Sequence, residues 1–83
     1  MNKPSDVQLE FATPQGAYSA AFDKNTSVHD VIQQVRTALQ LPSDAAFELW
    51  FGDKRLEPET RPLNSFHLPN PAKVTLLATG SGV

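Results

Sequence analysis

The sequence predicts a two-layer α+β domain in which a single helix packs on one face of one sheet. Segments in which apolar and polar residues alternate lie on both sides of one amphipathic helical segment. The whole chain has 83 residues, which is too few for a second core. Because one helix covers only one sheet face, the opposite face is left to solvent or to a partner.

The first predicted element is a β-hairpin over residues 7–23. Residues 13–16, Thr-Pro-Gln-Gly, have turn chemistry, since proline presets one backbone angle and glycine accepts a positive φ. The period of two on either side of this turn is typical of strands with one buried face. That face is expected to carry Val7, Leu9 and Phe11 from one strand and Tyr18, Ala20 and Phe22 from the other.

A helix is predicted next, from Ser27 to about Gln40. Ser27 and Asp30 have the spacing of an N-terminal capping box, and Pro42 cannot continue a helix. One apolar stripe follows the helical period: Val28, Val31, Ile32, Val35 and Leu39. The opposite face is expected to be wet, and it carries His29, Gln33, Gln34, Arg36 and Thr37.

Alternation resumes after the helix in a third strand, where Phe47, Leu49 and Phe51 share one face and Glu48 and Trp50 the other. Parity therefore directs Trp50 away from the helix.

The remainder of the chain is predicted to hold two more strands around an irregular crossing. Gly-Asp at positions 52–53 turns the chain into a short fourth strand that includes Leu56, and Pro58 and Pro62 bracket the crossing. The last strand is predicted over residues 73–78. The expected core anchors of this part are Leu63, Phe66 and Leu68 in the crossing and Val74 and Leu76 in the last strand.

The composition argues against several classes of function. Seven Lys and Arg against nine Asp and Glu give a net charge of -2, with no basic stripe for nucleic acid or an anionic membrane. No apolar stretch has the length of a membrane span and the first residues are polar, so a cytoplasmic protein is expected.

Catalysis and bound cofactors are not expected either. The chain has no cysteine, so it has no disulfide, no thiolate nucleophile and no cysteine-based zinc site. His29 and His67 are isolated in sequence and lack the spaced partners of a metal site or a triad. An enzyme is therefore the weakest interpretation.

Two segments carry a resemblance to ubiquitin. Residues 51–57, Phe-Gly-Asp-Lys-Arg-Leu-Glu, resemble its strand-turn-strand motif, and residues 63–68 resemble its Leu-x-x-Tyr-x-Ile crossing. Leu41 and Pro42 fall on the Ile-Pro that follows the helix in that family, and the apolar positions match from Val7 to the C-terminus. The resemblance implies the β-grasp fold, a mixed sheet of four to five strands on one helix, with the first and last strands parallel at its centre.

Residues 1–6 show no periodicity and are expected to form a flexible leader. The resemblance then implies a ubiquitin-like domain at 7–78 and a flexible tail at 79–83. The chain is most similar to short bacterial ubiquitin-like modifiers, which implies three protein partners: an activating enzyme, a conjugating enzyme and a processing peptidase. The tail would be the site of conjugation, because glycine leaves the terminal carboxylate accessible. Its residues are Gly80, Ser81, Gly82 and Val83.

This tail departs from the family pattern, since Gly-Ser-Gly-Val stands where ubiquitin ends in Gly-Gly. Either a peptidase removes Val83 to expose Gly82, or the activating enzyme accepts the valine, or the tail is unused. An ordinary frayed terminus is the alternative.

A second candidate site lies on the sheet face opposite the helix. Trp50 falls where ubiquitin has the central isoleucine of its recognition patch, and Thr75 and Leu77 share its face from the last strand. A large aromatic beside a leucine is typical of an interaction hot spot, although the tryptophan could instead pack over the sheet edge. Lys54 matches the lysine used for chain linkage in ubiquitin, with an ordinary solvated turn lysine as the alternative.

Three functions are consistent with these features. The first is a ubiquitin-like modifier, activated at its C-terminus by an ATP-dependent enzyme and conjugated to a target. The second is a non-covalent binding or adaptor module that uses the exposed Trp50 face and not the tail. The third, less favoured without a terminal Gly-Gly, is a sulfur carrier.

Overall fold

The computed structural model describes residues 6–42 and 46–79. Within these ranges the chain forms one α-helix on one five-stranded sheet, together with one short 3-10 helix, Leu63–Phe66. The α+β prediction is therefore confirmed. The elements in chain order are β1 (Asp6–Thr13), β2 (Gly16–Asp23), α1 (Val28–Leu39), β3 (Ala46–Phe51), β4 (Lys54–Arg55) and β5 (Ala72–Thr79).

The strand order in the sheet is β2-β1-β5-β3-β4. β1 and β5 are parallel neighbours at the centre, with Phe11 opposite Val74, and the other strand pairs are antiparallel. This is the mixed sheet that the resemblance to ubiquitin implies, so that prediction is confirmed as well.

The turn of the hairpin is closed by the side chain of Thr13. Its hydroxyl accepts a hydrogen bond from the Gln15 N–H at 3.1 Å and donates one to the Gly16 carbonyl at 2.7 Å. Gly16 has a φ of 112°, which a residue with a Cβ rarely adopts. The Thr-Pro-Gln-Gly sequence therefore specifies both the position of the hairpin and its register.

Helix α1 begins and ends where the sequence predicts. The Ser27 side chain caps its N-terminus by accepting the Asp30 N–H at 3.1 Å. At the C-terminus Gln40 has a left-handed backbone, with φ of 55°, and the Leu41 N–H returns to the Arg36 carbonyl at 2.9 Å.

The irregular crossing completes the cap of the same helix. The Val28 N–H donates to the Arg61 carbonyl at 3.1 Å, and the His29 N–H donates to the Glu59 carbonyl at 2.8 Å. These are two of the four N–H groups that a helix N-terminus leaves without an internal partner. The crossing thus supplies backbone acceptors to α1 while Leu63 enters the core.

The core lies between the inner sheet face and the apolar stripe of α1. The buried apolar residues are Leu9, Phe11, Phe22, Val28, Val31, Ile32, Val35, Leu41, Phe47, Leu49, Leu56, Leu63, Ala72, Val74 and Leu76. Phe66 and Leu68, which were expected as core anchors, are half-buried and pack against this cluster. The second sheet face has no layer over it in the described part of the chain.

Four further details differ from the sequence-based expectations. β1 begins at Asp6, which was assigned to the leader, and β5 ends at Thr79, which was assigned to the tail. Leu56 lies just beyond β4, although its N–H still donates to the Leu49 carbonyl at 2.9 Å. Arg36 is only partly exposed, because its guanidinium packs 5.3 Å from the ring centroid of Phe47.

Candidate functional site

The outer sheet face, opposite α1, carries the predicted binding residues. In β3 the buried side chains are Phe47 and Leu49, so the alternating residues Glu48 and Trp50 lie on the outer face. In β5 the buried positions alternate in the same way, so Lys73, Thr75 and Leu77 lie on the outer face. Strand parity therefore places Trp50, Thr75 and Leu77 on one continuous surface.

We call Trp50, Thr75 and Leu77 the Trp50 surface. Trp50 lies directly opposite Thr75 in the antiparallel β3–β5 pair, and Leu77 lies opposite Glu48, one pair further along. Directly opposite side chains are about 5 Å apart and diagonal ones about 7 Å, so the three form one contact patch. Leu77 is 46% exposed and is the one large apolar residue that the described part of the chain leaves in solvent.

Glu48 holds the indole of Trp50. The Trp50 Nε1–H donates a hydrogen bond of 2.8 Å to Glu48 Oε1, and the other carboxylate oxygen lies 3.3 Å from Arg55 Nη1. Arg55 stands directly opposite Trp50 on β4 and also reaches Glu57 Oε1 at 3.6 Å. The Glu48 side chain is only 16% exposed, so this carboxylate is enclosed by its two partners.

This arrangement makes the tryptophan a rigid anchor. The indole is half-buried, its polar N–H is satisfied, and both of its neighbours in the network are themselves on strands. A side chain whose rotamer is already fixed loses little entropy when a partner packs on it. The ring face can then contribute apolar area to an interface at low conformational cost.

The charges around the Trp50 surface are balanced. Glu48 pairs with Arg55, and Glu10 on β1 is the register partner of Lys73 on β5. Between these pairs lies the uncharged row of Ala12, Thr75 and Trp50, formed by direct register partners on three adjacent strands. The face therefore suits a partner with an apolar centre and does not select strongly for one sign of charge.

Sequence reasoning missed the role of Glu48 and Arg55. Glu48 was placed on the same face as Trp50, but no function was assigned to it. A carboxylate two residues before an outward tryptophan, with an arginine on the following short strand, was the available signal, because i and i+2 share a face. Arg55 lies opposite Trp50 only in the observed register of β3 with β4, which the turn at residues 52–53 sets. The sequence alone does not give that register.

Lys54, the possible linkage lysine, is exposed on β4. Its register partner is Phe51, which puts it on the face opposite to that of Arg55 and Trp50. The structure therefore does not bring Lys54 into the Trp50 surface. The tail residues Gly80, Ser81, Gly82 and Val83 lie outside the described residues.

Neither a metal site nor a membrane-spanning helix emerges from residues 6–42 and 46–79. In these ranges no three His, Asp or Glu side chains are grouped so that they could hold a metal ion. Over the same ranges, no helix combines the length and the apolar character needed to cross a bilayer.

The strand order, the single helix packed on one sheet face and the capped crossing define a ubiquitin-like β-grasp protein. Residues 15–76 match the family model of the TUG ubiquitin-like domain. The chain belongs to this family, and the matched range runs from the hairpin turn at Gln15 to Leu76 in β5. No curated protein sequence matches the chain significantly.

Several solved structures share the fold over nearly the whole chain. A protein designed de novo on the basis of ubiquitin is 15% identical with a TM-score of 0.78, and the match covers 96% of each chain. A ubiquitin-like domain of an Arabidopsis thaliana protein is 11% identical with a TM-score of 0.78, over 96% of this chain and 84% of that one. The N-terminal ubiquitin-like domain of the 4931431F19Rik protein is 18% identical with a TM-score of 0.78, over 100% and 86%. At these identities the likeness shows the fold alone.

Proposed function

We propose that this domain is a non-covalent ubiquitin-like binding or adaptor module that recognises a protein through the Trp50 surface. The observation that carries the proposal is the Trp50–Glu48 hydrogen bond of 2.8 Å, which holds an aromatic side chain on an uncovered sheet face. Leu77 adds the exposed apolar area next to it. Trp50 and Leu77 would form the apolar centre of an interface, and the Glu48–Arg55 pair would form part of its polar rim.

The expected energetics follow from this geometry. Interface energy is concentrated in a few residues, and tryptophan is among the residue types most often found there. Truncating a central tryptophan costs about 2 kcal/mol or more of binding energy. Rim charge pairs such as Arg55–Glu57 contribute about 0–1 kcal/mol each because solvent screens them.

The family match supports the binding interpretation. Membership in the TUG ubiquitin-like domain family favours a domain that binds over a modifier that is attached, and it provides no support for a bacterial modifier. The Trp50 surface needs only residues within the folded domain. A module of this kind would act without the tail, without ATP and without a cognate activating enzyme.

Conjugation is the second candidate, favoured by Gly80 and Gly82 in the tail sequence. In that case ATP would convert the terminal carboxylate, with Val83 removed or retained, into an acyl-adenylate with release of pyrophosphate. A thiol or amine of a partner would then take the acyl group, with release of AMP. The activating enzyme, the conjugating enzyme, the peptidase and the bacterial context all remain predictions. A sulfur carrier, the third candidate, would also need its C-terminal carboxylate to be activated.

Affinity capture with three matched baits separates the two candidates. The baits are the full chain, a chain truncated after Thr79, and W50A, each immobilised through the N-terminus and compared by quantitative mass spectrometry of the captured proteins. If the domain is a binding module, the chain truncated after Thr79 captures the same proteins as the full chain, and W50A does not capture them. The proposal is overturned if truncation abolishes capture while W50A leaves the set unchanged.

A direct assay tests the modifier on its own. The full chain and a version ending at Gly82 are incubated with the candidate activating enzyme, ATP and Mg²⁺, and intact-mass spectrometry follows adenylate and thioester formation. We expect neither product with either chain. Formation of a thioester would support conjugation. In a parallel reaction supplied with sulfide as the sulfur donor, formation of a thiocarboxylate with release of AMP would support the sulfur carrier.

A further inference from the structure

The two edges of the sheet differ in how they are protected against pairing with another strand. β4, at one edge, is two residues long and consists of Lys54 and Arg55, so shortness and positive charge both protect it. β2, at the other edge, is eight residues long. From Gly16 to Phe22 it has no charged residue and no proline, and its partner residues in β1 follow one another without a bulge.

The exposed backbone of the β2 edge indicates what kind of partner can bind there. One side of β2 is bonded to β1, and the backbone N–H and C=O groups of its other side point away from the sheet. A second extended strand can form hydrogen bonds with all of these outward N–H and C=O groups. Next to the edge runs an uncharged groove between β2 and α1, lined by Tyr18, Ala20, Ala21, Phe22, Gln33, Gln34, Thr37 and Ala38.

The sequence of β2 is nearly symmetric about Ala20. Small residues, Ser19 and Ala21, flank it on the outer face, and aromatic residues, Tyr18 and Phe22, stand two positions away on the groove face. A strand of this kind is complementary to itself in the antiparallel direction. A two-fold interface requires the same patch on both copies, and a palindromic strand provides it.

We propose that the β2 edge pairs with the β2 edge of a second copy of this chain, antiparallel and centred on Ala20. This register places Tyr18 opposite the partner's Phe22, Ala20 opposite the partner's Ala20, and Ser19 opposite the partner's Ala21. On the groove face the register aligns an aromatic pair on each side of a small central pair. Phe22 stays in the core of its own chain, so the half-buried Tyr18 supplies the accessible aromatic area of each pair.

The charges are compatible with this register. Asp23, the acidic end of β2, lies opposite the partner's Ala17, so no like charges face each other in the pair. The Trp50 surface is on β3 and β5, away from the β2 edge, and remains free in the dimer. A one-strand interface is small beside the roughly 1,200–2,000 Å² of stable complexes, so the association is weak and concentration-dependent.

Cysteine cross-linking tests the register directly, because the chain has no native cysteine. In A20C the two sulfur-bearing residues lie directly opposite, with Cα atoms about 4.5–5.5 Å apart, which a disulfide can bridge. In the control A21C they are offset along the strands to about 8 Å, beyond the about 7 Å limit. Ala21 is also the more exposed of the two positions, so random collisions favour the control.

We expect A20C to form covalent dimer at least about tenfold faster than A21C under mild oxidation. Equal rates, or faster dimer formation by A21C, overturn the register. Circular dichroism of both reduced variants confirms that they keep the fold.

A charge pair on the outer face provides a non-covalent test. S19K/A21K places like charges opposite each other in both symmetric pairs, while S19K/A21E places opposite charges there. Within each chain the two positions face Glu10 and Gln8 of β1, so both variants have the same S19K–Glu10 contact.

NMR diffusion measured from about 50 μM to about 1 mM reports the dimer. We expect slower diffusion with concentration for wild type and S19K/A21E, and concentration-independent diffusion for S19K/A21K. Wild type that stays monomeric over this range, or two variants that behave alike, overturns the proposal and leaves the edge for a strand of a different protein.

Discussion

The indole N–H of Trp50 and the carboxylate of Glu48 are joined by a 2.8 Å hydrogen bond between residues two apart on one strand. The second carboxylate oxygen of Glu48 lies 3.3 Å from Arg55 Nη1 on the adjacent strand. Because β3 and β4 fix the backbone of all three residues, the orientation of the tryptophan ring is set before any partner arrives. Pre-organisation of this kind lowers the entropic cost of any contact that a partner makes with the ring.

Replacing Trp50 by alanine should affect binding more than folding. We expect W50A to lower the free energy of unfolding by about 1 kcal/mol, since the ring is half-buried on a solvent-facing sheet. The neighbouring L49A removes a fully buried side chain and should cost about 2–5 kcal/mol. Urea unfolding followed by far-UV circular dichroism measures both, since W50A removes the single tryptophan. A loss in W50A as large as that in L49A would show that Trp50 is a packing residue.

Glu48 should act through the position of the indole. In E48A the Trp50 N–H loses its acceptor and Arg55 its closer partner, whereas E48Q keeps an oxygen that can accept from the indole. We expect E48A to lower stability by about 0.5–1.5 kcal/mol and to shift the indole N–H resonance. E48Q should keep that resonance near its wild-type position. If the two variants shift it equally, the hydrogen bond does not position the ring.

Gln40 carries a backbone conformation that favours glycine. Its φ of 55° at the C-cap costs a residue with a Cβ roughly 1 kcal/mol relative to glycine. Q40G should therefore raise the free energy of unfolding by up to about 1 kcal/mol. The matched control Q34G, at an exposed position inside α1, should lower it by about 1 kcal/mol. Thermal or urea unfolding measures whether each variant raises or lowers the free energy of unfolding. Destabilisation by both Q40G and Q34G would contradict the cap assignment.

Arg36 should contribute to stability although it lies on the polar side of α1. Its guanidinium is 5.3 Å from the Phe47 ring centroid, so R36A is expected to cost about 0.5–2 kcal/mol through lost cation–π contact and stem packing. Q33A, on an exposed position of the same helix, should change stability by less than about 0.5 kcal/mol. Equal, small effects in urea unfolding would show that the contact with Phe47 contributes nothing.

Most of the fold can be predicted from the sequence because each element has a local signal. The alternation around Leu9 and Phe11 specifies β1, and the Ser27 cap together with the stripe at Val31 and Val35 specifies α1. At Arg36, where the expected exposure was wrong, a tertiary contact decided the outcome. Arg36 is on the polar side of α1 but is only partly exposed, because its guanidinium packs on the ring of Phe47 in β3. Helical periodicity cannot detect such a partner.

The candidate site is predictable in its residues but not in its organisation. Strand parity alone places Trp50 and Leu77 on the outer face. The enclosure of Glu48 depends on the register of β4 with β3, which brings Arg55 opposite Trp50. The β2 edge likewise becomes visible only once the strand order shows that β2 is outermost.

Chemical-shift mapping of the isotope-labelled domain with its captured protein partner tests the central claim most directly. The account predicts that the perturbed amides, together with the indole N–H, cluster at Trp50, Thr75, Leu77 and Glu48, and that truncation after Thr79 leaves this pattern unchanged. Perturbations confined to α1, or binding that disappears when residues 80–83 are removed, would contradict it.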